Sequence, residues 1–104
     1  MTNKEIETLD LFIYRTSMWI NPIDKNTITS FIHGFEAGTD KKSFTSLLKD
    51  YLESEHNING SNQGWPNQVL LYAQKNELSW SNAFLELGIT IISKLKTVAN
   101  NELS

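Results

Sequence analysis

Cysteine is absent from the 104-residue chain, which excludes disulfide scaffolds and thiol chemistry. Histidine occurs twice, as His33 and His56, and leaves little from which to build a metal or acid–base site. Arginine occurs once, as Arg15, and proline only as Pro22 and Pro66. Long apolar runs are missing too. A membrane-spanning helix needs about 20 mostly apolar residues, whereas the best stretch, residues 83–92, is short and contains Glu86. Positive charge is also scarce: 9 basic residues face 12 acidic ones, a net −3. A protein held by nucleic-acid phosphates needs a basic face, so nucleic acid is not the expected partner. The opening residues Met1 to Glu7 lack the basic start and apolar core of a secretory signal. The expectation is a cytoplasmic protein that needs no membrane, metal or cofactor.

What is present is helical periodicity. The length and the 39% hydrophobic content fit one domain, with a radius of gyration of roughly 13 Å. Thr2 and Glu5 have capping-box spacing, and Ile6, Leu9, Phe12 and Ile13 follow at helical intervals, predicting a first helix over 3–16. Residues 17–23 break the pattern around Pro22. A second helix is predicted over 27–37, with Asn26 as its N-cap, Ile28, Phe31, Ile32 and Phe35 on one face, and Gly38 as its stop. Gly34, inside that helix, costs about 1 kcal/mol relative to alanine, and close approach of another helix would explain it. A third helix is predicted over 41–54, capped by Asp40, with Phe44, Leu47, Leu48, Tyr51 and Leu52 in register. The polar stretch 55–64 reads as a loop. A fourth helix starts at Pro66, with Val69, Leu70, Tyr72 and Ala73 inward, and closes at Asn76. The fifth is predicted over 80–100, capped by Ser79 or Ser81, with Trp80, Phe84, Leu87, Ile91, Leu95 and Val98 along one face. Its β-branched run 89–92 has some strand character, but helical phase continues on both sides. The fold class is therefore all-α, a single domain of about five helices around one core.

Few residues point to chemistry. His33 and Glu36 share a helix face and, with Asp40 and His56, offer metal-binding atoms, but no recognised ligand spacing is present. A partly buried histidine near a surface carboxylate is the simpler reading. No serine lies in a Gly-x-Ser-x-Gly elbow. The stretch Gly60-Ser61-Asn62-Gln63-Gly64 lacks the Gly-Lys-Ser/Thr ending of a phosphate-binding loop. Trp65 and Trp80 fit a core, while Trp19, between helices, is a candidate for exposure and so for an interface. Arg15, at the end of the first helix, suits the free carbonyls there.

Charge is unevenly spread. Within residues 50–92 the acids Asp50, Glu53, Glu55, Glu77 and Glu86 face Lys75 alone, a net −4, while the remaining residues carry +1. Scattered charge usually marks a solvated face. An acidic region beside an Asn-rich loop also suits capture of a basic protein, because opposite potentials speed encounter and select partners.

Several short elements fall in a suggestive order. Arg15-Thr16-Ser17-Met18-Trp19-Ile20 is similar to an Arg-Pro-x-Met-Tyr-Ile/Gly element, with Thr16 in place of proline and Trp19 in place of tyrosine. Phe31, Gly34, Phe35 and Gly38 are similar to a Phe-x-x-Gly-Tyr/Phe-x-x-Gly helix, and Gly64-Trp65-Pro66 and the pair Trp80 and Phe84 follow. Together they resemble small helical immunity proteins of bacterial polymorphic-toxin and contact-dependent growth inhibition systems. The resemblance implies a non-catalytic cytoplasmic protein that binds one cognate toxin domain 1:1. Such toxins are often nucleases, including ribonucleases, whose basic clefts an acidic surface can cover. The shared elements look structural, so the toxin-binding residues are sought in the acidic region: Asp50, Glu53, Glu55, His56 and Asn57, with Glu77 and Glu86. The alternative is a helical adaptor or regulator that binds a peptide or helix through an apolar groove near Trp19 and the second helix. A small enzyme using His33 or His56 is the third reading.

Overall fold

The hydroxyl of Thr2 accepts the Glu5 amide while the Glu5 carboxylate accepts the Thr2 amide, so the first helix starts with both free donors satisfied. The computed structural model describes residues 1–39, 43–60 and 64–103, with side chains as far as Val98. Five helices follow one another: α1 (Asn3–Tyr14), α2 (Lys25–Ala37), α3 (Ser43–His56), α4 (Trp65–Lys75) and α5 (Trp80–Leu103). No strand occurs among the described residues, and the β-branched run 89–92 is helical. The radius of gyration is 13.3 Å.

Several boundaries differ from expectation. Helix α1 stops at Tyr14, and Thr16–Met18 forms a separate 3₁₀ turn, because the Thr16 hydroxyl turns back to the carbonyls of Phe12 and Ile13. Helix α2 begins at Lys25, and its N-cap is Asp24 rather than Asn26. The Asp24 carboxylate accepts the Thr27 amide, and the Thr27 hydroxyl also reaches the carbonyl of Pro22. The Thr27 amide, then its hydroxyl, hold the Asp24 carboxyl below its ordinary value. A lowered folded-state value means this contribution is present above the unfolded-state value and is lost as pH falls through the lowered one. The peptide bond between Asn21 and Pro22 is cis. Gly38 caps α2 as expected, but with φ of −90°, outside the left-handed region. The third helix runs two residues further than expected, to His56, and the expected cap Asp40 lies outside the described residues.

The core is layered around α5. Helices α1, α3 and α4 all pack on it, and α3 also meets α4. Phe12 of α1 stacks on Phe31 of α2 with centroids 3.9 Å apart. At the other end Phe84 lies among Phe44, Trp65 and Trp80. The Trp80 indole donates to the Pro66 carbonyl at 2.9 Å, satisfying its one polar atom. Lys96 of α5 pairs with Asp10 of α1 at 2.6 Å. That bond holds the lysine ammonium above its ordinary value. Val98, expected on the buried stripe of α5, is half exposed. Phe31 and Phe35 are only partly buried, and the inward face of α2 is instead Ile28, Ile32 and Glu36.

The close approach expected at Gly34 occurs at Gly88. A Cβ on Gly34 would meet nothing within 4 Å, whereas one on Gly88 would run into Cδ1 of Ile13. Helix α1 thus lies directly on the α5 backbone at that point. We expect Gly88→Ala to destabilise by about 1 kcal/mol, an overpacking cost of about 1–3 kcal/mol less about 1 kcal/mol of helix propensity. In an Ile13→Val background, which lacks Cδ1, the same substitution should become neutral or stabilising. Urea unfolding of the four chains in this double-mutant cycle measures the sign change.

Candidate functional site

Asp50, Glu53, Glu55 and His56 lie on the last turns of α3 and Asn57 just after it, Glu77 just after α4, and Glu86 on α5. Asp50, Glu53 and Glu55 are exposed on the last two turns of α3. Glu53 reaches across the following loop, its Oε1 accepting from the Gly60 amide at 3.3 Å. Ile58, in the same loop, is buried, and its amide donates to the Leu52 carbonyl at 2.9 Å. The loop is pinned from the other side by Gln68 of α4, a fully buried amide that donates to the Ile58 carbonyl at 3.1 Å. Residues 61–63, the middle of the glycine-bounded stretch, lie outside the described residues.

His56, the last residue of α3, is wedged edge-on between the rings of Tyr51 and Tyr72 at 5.1 and 5.0 Å. Its Nε2 is buried with no hydrogen-bond partner among the described residues. The Tyr72 hydroxyl donates to Glu86 Oε1 at 3.0 Å, which links α4 to the middle of α5. Burial, and then this carboxylate, push the Tyr72 phenol above its ordinary value. The Lys75 ammonium points to the His56 carbonyl at 3.5 Å, so the C-terminal ends of α3 and α4 lie side by side.

Two of the candidates hold left-handed backbone: Asn57 at φ 57° and Glu77 at φ 55°. Asparagine adopts this region readily, but glutamate does so at a cost of roughly 1–2 kcal/mol. Glu77 ends α4 in a Schellman motif, with the Leu78 amide donating to the Ala73 carbonyl at 2.9 Å and its own amide to Gln74 at 3.4 Å. Glycine is the usual occupant of that position. An exposed glutamate there keeps its carboxylate at the expense of local backbone energy.

The geometry also tempers the charge. Lys94 stands 5.5 Å from the centre of the Tyr51 ring and so belongs to this face. Residues 50–92 leave it out by two positions, and periodicity gave no sign that α5 would return it here. The contacts join Glu53 to the loop, and His56 to Tyr72 and Glu86. Among the described residues no contact joins Asp50, Glu55 or Glu77 to these groups.

His33 and Glu36 separate. His33 is exposed and meets Trp65 edge-on at 6.0 Å. Glu36 is the buried one, 4% exposed, reversing the expected roles. Its Oε2 accepts the Thr45 amide at 3.0 Å and its Oε1 the Thr45 hydroxyl at 2.7 Å, so a carboxylate from α2 caps the first turn of α3. The two residues line a cavity of about 320 Å³ with Thr45, Lys49 and Trp65. Among the described residues no group of three or more histidines and acids is placed to hold a metal ion, and Asp40 lies outside them. Among the described residues, too, no ion pair holds the Arg15 side chain, and no helix is long and apolar enough to cross a membrane. Trp65 is buried and Trp80 partly so, whereas Trp19 is 46% exposed, edge-on to Phe31 at 5.7 Å.

The described residues form an all-α globule of five helices. No protein-family model, curated protein or solved structure matches the chain.

Proposed function

We propose that this chain is an immunity protein that binds and neutralises a cognate bacterial toxin domain in the cytoplasm, with no catalytic activity of its own. Its partner is a basic domain, a nuclease such as a ribonuclease, held 1:1 by the surface around the ends of α3 and α4. The observation that carries this reading is Glu77: an exposed carboxylate kept at a left-handed position that glycine would fill more cheaply. It lies in the region that contains Asp50, Glu53, Glu55 and Glu86, all exposed. The resemblance of the short motifs to immunity proteins supplies the partner class.

The test uses the C-terminal domain of a large secreted protein encoded beside this chain. Co-expression should restore growth and yield a 1:1 complex. Glu53→Lys/Glu55→Lys should slow association roughly tenfold at low salt and much less at high salt, since steering is screened beyond about 10 Å at 0.1 M. Glu77→Gly should stabilise the free protein by about 1 kcal/mol and yet weaken the complex. Salt-insensitive association with unchanged affinity in both variants sinks the acidic surface.

A second reading has its own observation. Phe31 is only partly covered, and with Ile20, Asn26, Thr27 and Ser30 it lines an open groove beside exposed Trp19. A helical adaptor would seat a peptide or helix there. Trp19→Ala abolishing binding while the acidic variants leave it intact would favour that reading.

A further inference from the structure

The pair Asn59-Gly60 lies in the loop after α3, and both residues are exposed and outside any helix. An asparagine side chain is open to attack by the amide nitrogen of the next residue when that nitrogen can be reached and the backbone can turn. Glycine allows both, because it has no Cβ in the way and the widest choice of backbone angles. The other described asparagines are placed differently. Asn26, Asn67 and Asn82 lie inside helices. Asn21 precedes Pro22, which has no amide hydrogen. After Asn57 the amide of buried Ile58 is committed to the Leu52 carbonyl at 2.9 Å, and after Asn76 the Glu77 amide donates to Gln74.

Among the described residues the Gly60 amide has one acceptor, Glu53 Oε1 at 3.3 Å. That is a long bond to an exposed side chain, not a rung of a helix. The packing also selects the glycine: a Cβ on Gly60 would stand 3.3 Å from Glu53 Oε1 and 3.6 Å from the Gln68 amide group. On the other side of Asn59, Ile58 is clamped through its carbonyl to the buried Gln68 amide at 3.1 Å. The fold therefore sets a labile asparagine between a fixed residue and a loosely held one.

We propose that Asn59 is a site of self-modification, deamidating through a succinimide at a rate that Glu53 restrains. Solvent hydroxide takes the proton of the Gly60 amide, and the nitrogen attacks Cγ of Asn59. The new N–Cγ bond closes the ring, the Cγ–Nδ2 bond breaks, and the side-chain nitrogen takes a proton from water and leaves as ammonia. That water proton restores the hydroxide. A second water then opens the ring. Opening at Cγ gives aspartate; opening at the backbone carbonyl gives isoaspartate, with the chain running through the former side chain. Glu53 is the brake, because its bond to the amide must open before hydroxide can act and its charge repels hydroxide. Either product adds one carboxylate beside Glu53 and takes the net charge from −3 to −4. Isoaspartate also lengthens the main chain between Ile58 and Gly60, which loosens the loop.

Incubation of the full folded chain in mildly alkaline buffer, followed by peptide mapping with mass spectrometry, tests this. Asn59 should convert at least roughly tenfold faster than Asn26, Asn67 or Asn82, whose helices must open before the backbone can turn. Isoaspartate should be detected at position 59 by methyl transfer from an isoaspartyl methyltransferase. Isoelectric focusing should show a more acidic form growing with time. Asn59→Gln keeps the amide but must close a larger, slower ring, so this form should not appear at that position. Glu53→Ala should speed conversion roughly fivefold, the factor released by loss of one net hydrogen bond. Both positions are exposed, and circular dichroism confirms folding of each variant. A wild type in which Asn59 converts no faster than the helical asparagines overturns the proposal. So does a rate at Asn59 that Glu53→Ala leaves unchanged or lowers.

Discussion

Phe84→Ala should cost about 3–5 kcal/mol of folding free energy, a large share of the roughly 5–15 kcal/mol available to a domain of this size. Phe84 is fully buried and touches three other aromatic rings: it stacks on Trp80 at 5.6 Å and tilts against Trp65 at 5.9 Å and Phe44 at 6.0 Å. Those rings come from α3, α4 and α5, so the cavity left by truncation opens where three helices meet and cannot be closed by a shift of one. Urea unfolding followed by tryptophan fluorescence reads the loss directly, because two of the rings are indoles. The midpoint should fall with an unchanged slope. Val98→Ala, on the same helix, serves as the control. Val98 is 50% exposed, and its truncation should change stability by less than about 0.5 kcal/mol. Equal losses in the two variants would mean that α5 is rotated from the orientation described.

Glu36→Ala should cost about 1.5–3 kcal/mol, the scale of hydrogen bonds to a charged group. The Glu36 carboxylate receives both the amide and the hydroxyl of Thr45, and it sits at the positive end of the α3 dipole. Alanine would withdraw both bonds. Glu36→Gln keeps an acceptor of the same shape and should lose noticeably less. If the glutamine variant were as damaged as the alanine variant, charge would matter more than bond count. If both were unaffected, the first turn of α3 would have another cap. Denaturant melts of the three proteins, with amide exchange at Thr45, separate these outcomes.

The helices were legible in the sequence because each one needs an apolar stripe at a period near 3.6 residues, and the sequence carries five such stripes. Caps were legible where the donor and acceptor are three residues apart, as at Thr2 and Glu5. Asp24 was missed in favour of Asn26 because both are good caps, and only the path of the chain out of Pro22 decides between them. What local spacing could not show was the destination of a side chain on another element. Glu36 read as a surface acid because its partner, Thr45, lies beyond the next turn. Gly34 and Gly88 are both small residues inside a helix, and only the crossing of α1 and α5 distinguishes them. The acidic region was visible as composition. Lys94 was not, because its place beside Tyr51 depends on how α5 crosses α3. The left-handed backbone at Glu77 also gave no warning, since the residue usually found there is glycine.

The pairing of α1 with α5 joins residues far apart in the chain, as Asp10 and Lys96 show at a separation of 86 positions. During synthesis α1 precedes α5, the helix it chiefly packs on, and until then it has only Phe31 of α2 and the 3₁₀ turn beside it. At about 5–20 residues per second, the intervening chain takes roughly 4–17 s to make. For that interval Ile6, Leu9 and Ile13 lack the helix that covers them, and Leu11 and Tyr14 of the same helix are exposed throughout. The nascent protein therefore presents its stickiest segment early and hides it last, which makes chaperone dependence and expression temperature properties of this topology rather than of its final stability.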